Sequence, residues 1–372
     1  MIKKHIFLFA LALTAVLNQS FAQVPYNSAI SNGPSKNATV SEQIGLTQVT
    51  ITYRRPAVNG RGGKIWGGLV HEGFTKQGFG FNNPAPWRAG ANENTIIEFD
   101  KDVKVEGQIL AKGKYALFIA YYPLESTIIF SKKTDAWGSF FYDEKDDVLR
   151  VKVKPMQLKN SVEWLRYEFS DQKPNSAMIL LEWDNLAIPF KIEVDALEQQ
   201  FEALSAELKN PRGFTWQGFN IAANWSLQNN YKLEQGFAWA DFGISNFGGN
   251  QQFLSLATKS RLLEKLGNIS EADKTIKQAL PLGNINEIYQ YGRQLLGLKK
   301  MKEALEIFKF NYDKNPTQFI ALIGMSRGLS ENGDFKQALE FAIKALPLAP
   351  NEPNKQLAQS MIDKLKLGKE VN

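Results

Sequence analysis

The residues that could do chemistry are concentrated in one short run, 87–94, which reads WRAGANEN. A guanidinium can donate two parallel hydrogen bonds to a carboxylate or phosphate group. An indole beside it suits a planar ligand or a sugar. The run therefore predicts a ligand-facing loop that leads into a strand. In the alternative interpretation each residue has a structural use: Arg88 and Glu93 pair with neighbours, and Trp87 fills the core. Asn92 would then hold a tight turn through its own backbone.

This run ends a long segment, 55–94, that is rich in glycine and shows no sustained hydrophobic period. Loops beyond about 12–15 residues are uncommon in compact domains and are usually functional or disordered. Aromatic residues along the segment could pin it to the core, which favours an ordered loop. We expect the loop to suit a small anionic or sugar ligand. The candidate binding residues in and beside it are Tyr53, Arg55, Arg61, Trp87, Arg88, Asn92 and Glu93.

The sequence offers little for catalysis or metal binding. It contains no G-x-S-x-G elbow, phosphate loop or H-E-x-x-H helix. Without cysteine, and with His71 as the one histidine beyond the leader, the usual zinc sites are excluded, and we predict neither metal nor cofactor. His71 beside Glu72 could be oriented as a base, although an exposed histidine in a glycine-rich loop is the simpler interpretation. A carboxylate pair that includes an acid near Asn92, such as Glu93, could still hydrolyse a glycan.

The first 22 residues have the layout of a cleavable secretory signal. Two lysines precede an apolar run over 6–17, and Ser-Phe-Ala at 20–22 places small residues at the −3 and −1 positions. The apolar run is shorter than the roughly 20 residues that a spanning helix needs. No cysteine is present to carry a lipoprotein anchor or a disulfide. We therefore expect cleavage after Ala22 and a periplasmic or secreted protein without a transmembrane segment.

The charge balance argues against a nucleic-acid partner. Removal of Lys3 and Lys4 lowers the basic count from 44 to 42 against 38 acids, which leaves a net charge of +4. So small an excess, without a dense basic stripe, is not typical of nucleic-acid binding.

Before residue 195, apolar and polar residues alternate over short runs separated by turn residues. About nine such runs, without long helical segments between them, predict an antiparallel β-sandwich or a barrel-like all-β domain. The runs are 48–55, 95–99, 103–110, 114–122, 127–131, 148–155, 163–169, 177–183 and 188–194.

After residue 195 the period becomes helical. Leu197, Phe201, Leu204 and Leu208 fall on one helix face, which predicts a connecting helix. The chain thus divides into a signal peptide, an all-β domain, a connecting helix and an all-α repeat domain. Their boundaries are 1–22, 23–195, 196–211 and 212–372.

The all-α half repeats itself. Three alanines stand 32 and 34 residues apart, each twelve residues after a small residue, and proline follows two of them by twelve. A small residue facing an alanine lets two helices pack closely. The pattern resembles the tetratricopeptide repeat over 252–350, with 224–245 as a degenerate earlier member, and the alternative is an ordinary helical bundle. The residues predicted to pack the repeats are Ala272, Gly292, Ala304, Phe308, Pro316, Ala338 and Pro350.

Several blocks of the strand-rich half resemble a known family. They are VTITYRRPAVNGR, PWRAGANENTIIEF, VKVEGQILAKGKYALF, AWGSFFYD and DVLRVKVKP, in order over about 31–195. They are similar to the signature blocks of a secreted bacterial domain of unknown function, DUF2911, whose members often carry tetratricopeptide repeats afterwards. The resemblance implies shared polar motifs but no activity. Those motifs fall on Tyr53, Arg55, Pro56, Gly60, Arg61, Trp87, Arg88, Gly90, Ala91 and Asn92.

Together these observations predict an exported, non-catalytic binding or adaptor protein. Its β-domain would hold a ligand at the arginine and tryptophan loop, and its repeats would bind an unknown protein through their concave face. The alternative is a periplasmic hydrolase that acts on envelope or imported glycan through carboxylates.

Overall fold

The computed structural model of the chain describes residues 35–371, so the predicted signal peptide lies outside the described residues. The chain forms two compact units, one that ends at Ala196 and one that begins at Leu197. We call them the strand unit and the helical unit. Within the described range, none of the helices combines the length and hydropathy that crossing a membrane requires.

Within residues 35–371, the strand unit contains twelve strands in antiparallel sheets. Their bounds are β1 Lys36–Ile44, β2 Thr47–Arg55, β3 Thr75–Lys76, β4 Pro84–Ala85, β5 Thr95–Phe99, β6 Val103–Val105, β7 Gln108–Leu110, β8 Gly113–Ala120, β9 Ser126–Ser131, β10 Asp147–Val153, β11 Met156–Lys173 and β12 Ser176–Glu193. One sheet has the order β1-β2-β5-β8-β9-β10, the second has the order β11-β12-β6-β7, and β3 pairs only with β4.

The two larger sheets enclose one apolar core, to which both contribute buried side chains. Successive side chains of a strand point to opposite faces, so the alternation of Val49, Ile51 and Tyr53 buries all three. The rings of Phe130 and Phe190, one from each sheet, lie 6.2 Å apart. The described strands do not close into a barrel, so the antiparallel sandwich predicted from the alternation is confirmed.

The structure differs from the predicted strands at several points. The run 103–110 is a hairpin of β6 and β7, because Glu106 and Gly107 adopt positive φ angles of 48° and 80° and form a two-residue turn. The runs 177–183 and 188–194 form a single strand, β12, which continues through Asp184 in a left-handed conformation. Strand β1 was not predicted, because this edge strand is mostly polar and exposed.

Ten helices build the helical unit within the described residues. They are α1 Ala196–Glu207, α2 Trp216–Asn229, α3 Leu233–Asn246, α4 Phe253–Lys265, α5 Ile269–Ala279, α6 Ile285–Gly297, α7 Met301–Lys314, α8 Phe319–Glu331, α9 Phe335–Ala345 and α10 Glu352–Lys366. Consecutive helices pack as pairs, α2 with α3, α4 with α5, α6 with α7 and α8 with α9. The first helices of successive pairs also contact one another, as a repeat array requires. The predicted connecting helix is α1, and its Phe201 ring stacks on Trp239 of α3 at 5.0 Å.

The twelve-residue spacing corresponds to a recurrent contact between paired helices. Ser260 Oγ donates a hydrogen bond of 2.8 Å to the carbonyl of Ala272, and Ser326 Oγ does the same to Ala338. In the middle repeat, Gly292 occupies the position of these serines, twelve residues before Ala304. A Cβ on Gly292 would lie 2.5 Å from the ring of Phe308. The alanines at these positions are buried, whereas Pro316 and Pro350 are exposed between helices.

Removal of one serine hydroxyl tests this contact. We expect Ser260→Ala to lower the free energy of unfolding by about 1 kcal/mol, because a buried hydrogen bond is lost. Ser255, buried on the same helix, has a hydroxyl without a partner in the described chain. Ser255→Ala should therefore be neutral or stabilising when both variants are compared by denaturant unfolding. Equal effects of the two changes would contradict the assigned hydrogen bond.

Candidate functional site

The strand unit has a cavity of about 610 Å³, within the range of small-molecule sites. Residues of the glycine-rich segment form much of its lining, and β11, β12, the start of β1 and Ser139 supply the rest. We call it the tryptophan cavity. Its lining includes Arg61, His71, Trp87, Arg88, Trp164 and Trp183.

Three indoles pack together at this cavity. Trp87 stacks on Trp183 with centroids 6.1 Å apart and an interplanar angle of 16°, while Trp66 meets Trp87 edge-on at 5.6 Å. Trp66 Nε1 donates a hydrogen bond of 3.0 Å to the carbonyl of Trp183. Because Trp87 and Trp183 are also part of the sandwich core, the cavity has a rigid aromatic wall.

Backbone contacts fix the position of Arg88. The amide and carbonyl of Trp87 both bond to Ile119 of β8, at 3.0 and 2.8 Å. Ala89 then adopts a positive φ of 54°, and its carbonyl accepts hydrogen bonds from Thr95 Oγ1 and the Tyr167 hydroxyl. A Cβ on Gly90 would lie 2.6 Å from Thr95 Oγ1, so glycine is required there. The run 87–94 is therefore a rigid turn that places Arg88 in the cavity lining.

Arg88 differs from the other arginines of the loop. Its Nε is buried without a hydrogen-bond acceptor, and no ion pair is formed by its guanidinium within residues 35–371. Burial lowers the pKa of Arg88 from its ordinary value. Even so, an arginine stays protonated in proteins, so the cavity lining carries a partly buried positive charge.

Trp183 supplies a second unsatisfied donor. Only 1% of this residue is exposed, and its Nε1 has no acceptor in the described part of the chain. A buried donor without a partner costs about 1–3 kcal/mol, so such groups usually mark a bound acceptor or an ordered water. Trp183 Nε1, like Arg88 Nε, is inaccessible to solvent, so neither atom faces the open cavity. Arg88 as a whole is only partly buried, and it is the unpaired charged residue of the lining.

The structure brings three of the predicted site residues together, because Arg61, Trp87 and Arg88 all line the tryptophan cavity. The Arg61 guanidinium donates to the carbonyls of Ala57 and Val58, at 2.7 and 2.9 Å. Those bonds hold the side chain against its own loop.

The other four predicted residues do not line this cavity. Tyr53 is in the core, and its hydroxyl accepts a hydrogen bond of 3.2 Å from the Tyr167 amide. Arg55 Nε donates to the carbonyl of Leu165, which links β2 to β11 across the sandwich. Asn92 adopts a positive φ of 62° within the turn. Both carboxylate oxygens of Glu93 accept from Arg54, at 2.9 and 3.0 Å.

The sequence prediction missed several lining residues. Trp164 and Glu163 come from β11, where the alternation that buries Leu165 and Tyr167 turns Trp164 outward. An outward tryptophan on a strand is a signal that could have been followed. His71 also lines the cavity, where its Nε2 lies 3.2 Å from Gln77 Nε2. No group of metal-ligating side chains large enough to hold an ion occurs among the described residues.

The pairing of Glu93 with Arg54 predicts a measurable titration. Burial, the largest single influence, would raise the pKa of Glu93, but the hydrogen bond from Arg54, a backbone hydrogen bond and the charge of Arg54 together lower that pKa below its ordinary value. The pair therefore stabilises the fold at neutral pH, and its contribution is lost as the pH falls through the folded-state pKa. We expect the Glu93 carboxyl, followed by NMR, to titrate below the ordinary range of a glutamate, and Arg54→Gln to raise the midpoint. An identical midpoint in both proteins would contradict the pairing.

Comparisons with solved structures return helical repeat proteins of low similarity. The nearly identical TPR-like repeats from Podosopora anserina are 12% identical, with 41% of this chain and 85% of that chain covered and a TM-score of 0.30. YrrB, a TPR protein with an unusual peptide-binding site, is 18% identical over 46% of this chain and 87% of its own, with a TM-score of 0.27. MamA from Desulfovibrio magneticus RS-1 is 16% identical over 41% and 93%, with a TM-score of 0.26. All of these scores are below 0.5, so the repeat architecture described above rests on the chain's own packing.

No relative was found among the curated proteins. The model of one protein family, described as a protein of unknown function (DUF2911), matches residues 35–192. That range covers the two sheets except for the last residue of β12, and it includes every predicted ligand-site residue. By this match, the strand unit of the chain is similar to the DUF2911 family.

Proposed function

We propose that this is an exported, non-catalytic binding protein whose tryptophan cavity takes a small anionic ligand and whose helical unit binds a partner protein. The observation that carries the ligand part is Arg88, a partly buried guanidinium without an acceptor in the described chain. A buried charge is strongly unfavourable unless it is paired, so an anion in the cavity would gain a charge-assisted hydrogen bond at this group.

Binding is better supported than glycan hydrolysis. Hydrolysis of a glycoside uses two carboxyl groups that flank the scissile bond. Among the described residues that line the cavity, Glu163 is the one carboxylate, and its Oε1 accepts the amide of Asn59 at 2.8 Å. Glu93, which the hydrolase alternative would use, is paired with Arg54 and lies outside this lining.

Calorimetric titration of the full chain with acetate, benzoate and inorganic phosphate tests the ligand part. We expect at least one of these anions to bind, and Arg88→Gln to weaken its affinity about tenfold or more. Arg54→Gln is the matched control, because it removes a guanidinium that is paired outside the cavity. Equal losses in both variants, or no binding of any anion by the parent protein, would overturn the proposal.

The partner-binding part rests on a groove of about 460 Å³ in the helical unit. The first helices of three successive pairs, α2, α4 and α6, line it with amide side chains and with Arg261. Asn220 Oδ1 is buried there without a hydrogen-bond donor in the described chain. Burial lowers the pKa of Arg261, whose Nη1 donates to Gln294 Oε1 at 3.0 Å. Amides can pair with both donors and acceptors of a peptide backbone, so we propose an extended peptide segment as the occupant.

Photo-crosslinking in cells tests the groove. A photoreactive residue in place of Leu254, which is exposed in the groove lining, should capture one defined partner. The same residue in place of Ile343, equally exposed on α9 but outside the groove, is the matched control. Arg261→Glu should abolish capture from the first position. Capture of the same proteins from both positions would contradict the proposal.

Export has its own test. If the leader is cleaved after Ala22, the mature chain begins with Gln23. N-terminal sequencing of the protein from its native cells should give Gln23 as the first residue, and a retained Met1 would overturn the export proposal.

A further inference from the structure

Trp164 is an exposed indole on the lining of the tryptophan cavity. The residue is 40% exposed, in contrast to Trp87 and Trp183, which are almost fully buried. Its backbone is bridged to Ala57, so its position on β11 is fixed even though its ring is solvated. An indole that is held in place but left open to solvent presents a flat apolar surface to a ligand.

The electrostatics of the cavity favour a ligand with one negative charge. The guanidinium of Arg88 is the partly buried, unpaired charge of the lining, while Arg61 already donates to two carbonyls. Lys36 is exposed, and its charge is screened by solvent. A dianion such as a phosphate would need a second buried cation to balance its charge. One carboxylate balances the charge of one guanidinium, and its two oxygens can accept two parallel hydrogen bonds from it.

The remaining polar groups of the lining suit hydroxyls. Asn59, His71, Gln77 and Glu163 supply both donors and acceptors to the same cavity. A flat hydrocarbon acid would leave these groups unsatisfied and would lose their solvation. A sugar ring offers hydroxyls for them, and the C–H groups on one of its faces pack well on the negative face of an indole.

We propose that the tryptophan cavity binds a sugar acid, a pyranose whose ring stacks on Trp164 and whose carboxylate accepts hydrogen bonds from the guanidinium of Arg88. This inference rests on the proposed function, because it names the class of the anionic ligand. Trp164 is then a binding residue that lies outside the loop to which the sequence points. Arg88 favours ligands that carry a carboxylate, and Trp164 favours ligands that contain a pyranose ring.

The test is calorimetric titration of the full chain with glucuronate, galacturonate, glucose, benzoate and acetate. We expect one of the uronates to bind at least about tenfold more tightly than glucose, benzoate or acetate. Trp164→Ala should weaken uronate binding about tenfold and leave acetate binding unchanged. Trp164→Tyr keeps an aromatic face and should retain most of the affinity. Trp137→Ala removes another exposed indole, outside the cavity lining, and is the matched control.

The outcomes separate this inference from the proposed function. If acetate or benzoate binds as tightly as the uronates and the binding depends on Arg88 but not on Trp164, the sugar-acid assignment is wrong and the anion site stands. If glucose binds as tightly as glucuronate, the role of Arg88 as the acid-selecting group is overturned. If none of the anions binds in an Arg88-dependent manner, the proposed function fails together with the inference.

Discussion

Replacement of Phe308 by alanine should lower the free energy of unfolding of the helical unit by about 3–5 kcal/mol. The ring is completely buried on α7. Three glycines form its socket, since a Cβ on Gly292, Gly324 or Gly328 would lie 2.5, 2.8 or 2.9 Å from the ring. Glycines have no side chains that could move into the space left by the ring, so the cavity would persist and the cost should be high.

Denaturant unfolding of the full chain, with hydrogen exchange of α6 to α8 as the local readout, measures this effect. Ile343→Ala, at an exposed position of α9, should change the free energy by less than about 0.5 kcal/mol. If Phe308→Ala costs no more than this control, the close packing of α7 against α6 and α8 is wrong.

Trp87→Ala should destabilise the strand unit by a similar amount, about 3–5 kcal/mol. Its indole contacts Trp66 and Trp183 and belongs to the sandwich core, so alanine would leave a large void beside the tryptophan cavity. The same change should weaken ligand binding, because it removes one of the two stacked indoles that form the wall of the cavity. Hydrogen exchange of β2, β5 and β8 reports the loss of stability locally.

Trp137→Ala is the matched control for this change, because Trp137 is 52% exposed and outside the cavity lining. We expect its effect to remain within about 0.5 kcal/mol. A Trp87→Ala protein that kept the parent's stability would show that the three indoles do not form a packed wall.

The fold could be predicted because its signals are local. Alternation within β2 or β5 and the twelve-residue spacing from Ser260 to Ala272 need no knowledge of distant parts of the chain. The prediction was wrong where tertiary contacts override local signals. Asp184 and Asn185 resemble a turn, yet β12 continues, because the Asp184 carboxylate accepts hydrogen bonds from the Gly63 amide and the Ser161 hydroxyl.

The site could be predicted only in outline. The sequence shows four arginines near one loop, but it does not show which of them has a partner. Arg54 pairs with Glu93, 39 residues away, and Arg55 with Leu165, 110 residues away. These long-range contacts leave Arg88 as the arginine with an unsatisfied Nε within the described loop. Trp164 was missed for a similar reason, because 107 residues separate it from Ala57, its bridging partner.

The central claim is that the unpaired guanidinium of Arg88 binds an anionic ligand in the tryptophan cavity. Proton–nitrogen NMR of the full chain observes the arginine Nε–H and indole Nε1–H signals directly, and Arg88→Lys and Trp66→Phe assign them. On titration with glucuronate, we expect the Arg88 signal to move with a single dissociation constant, while the Trp66 signal moves little because its Nε1 already donates to a carbonyl. If the Arg88 signal does not move at saturating concentrations of any of the tested anions, the account is contradicted.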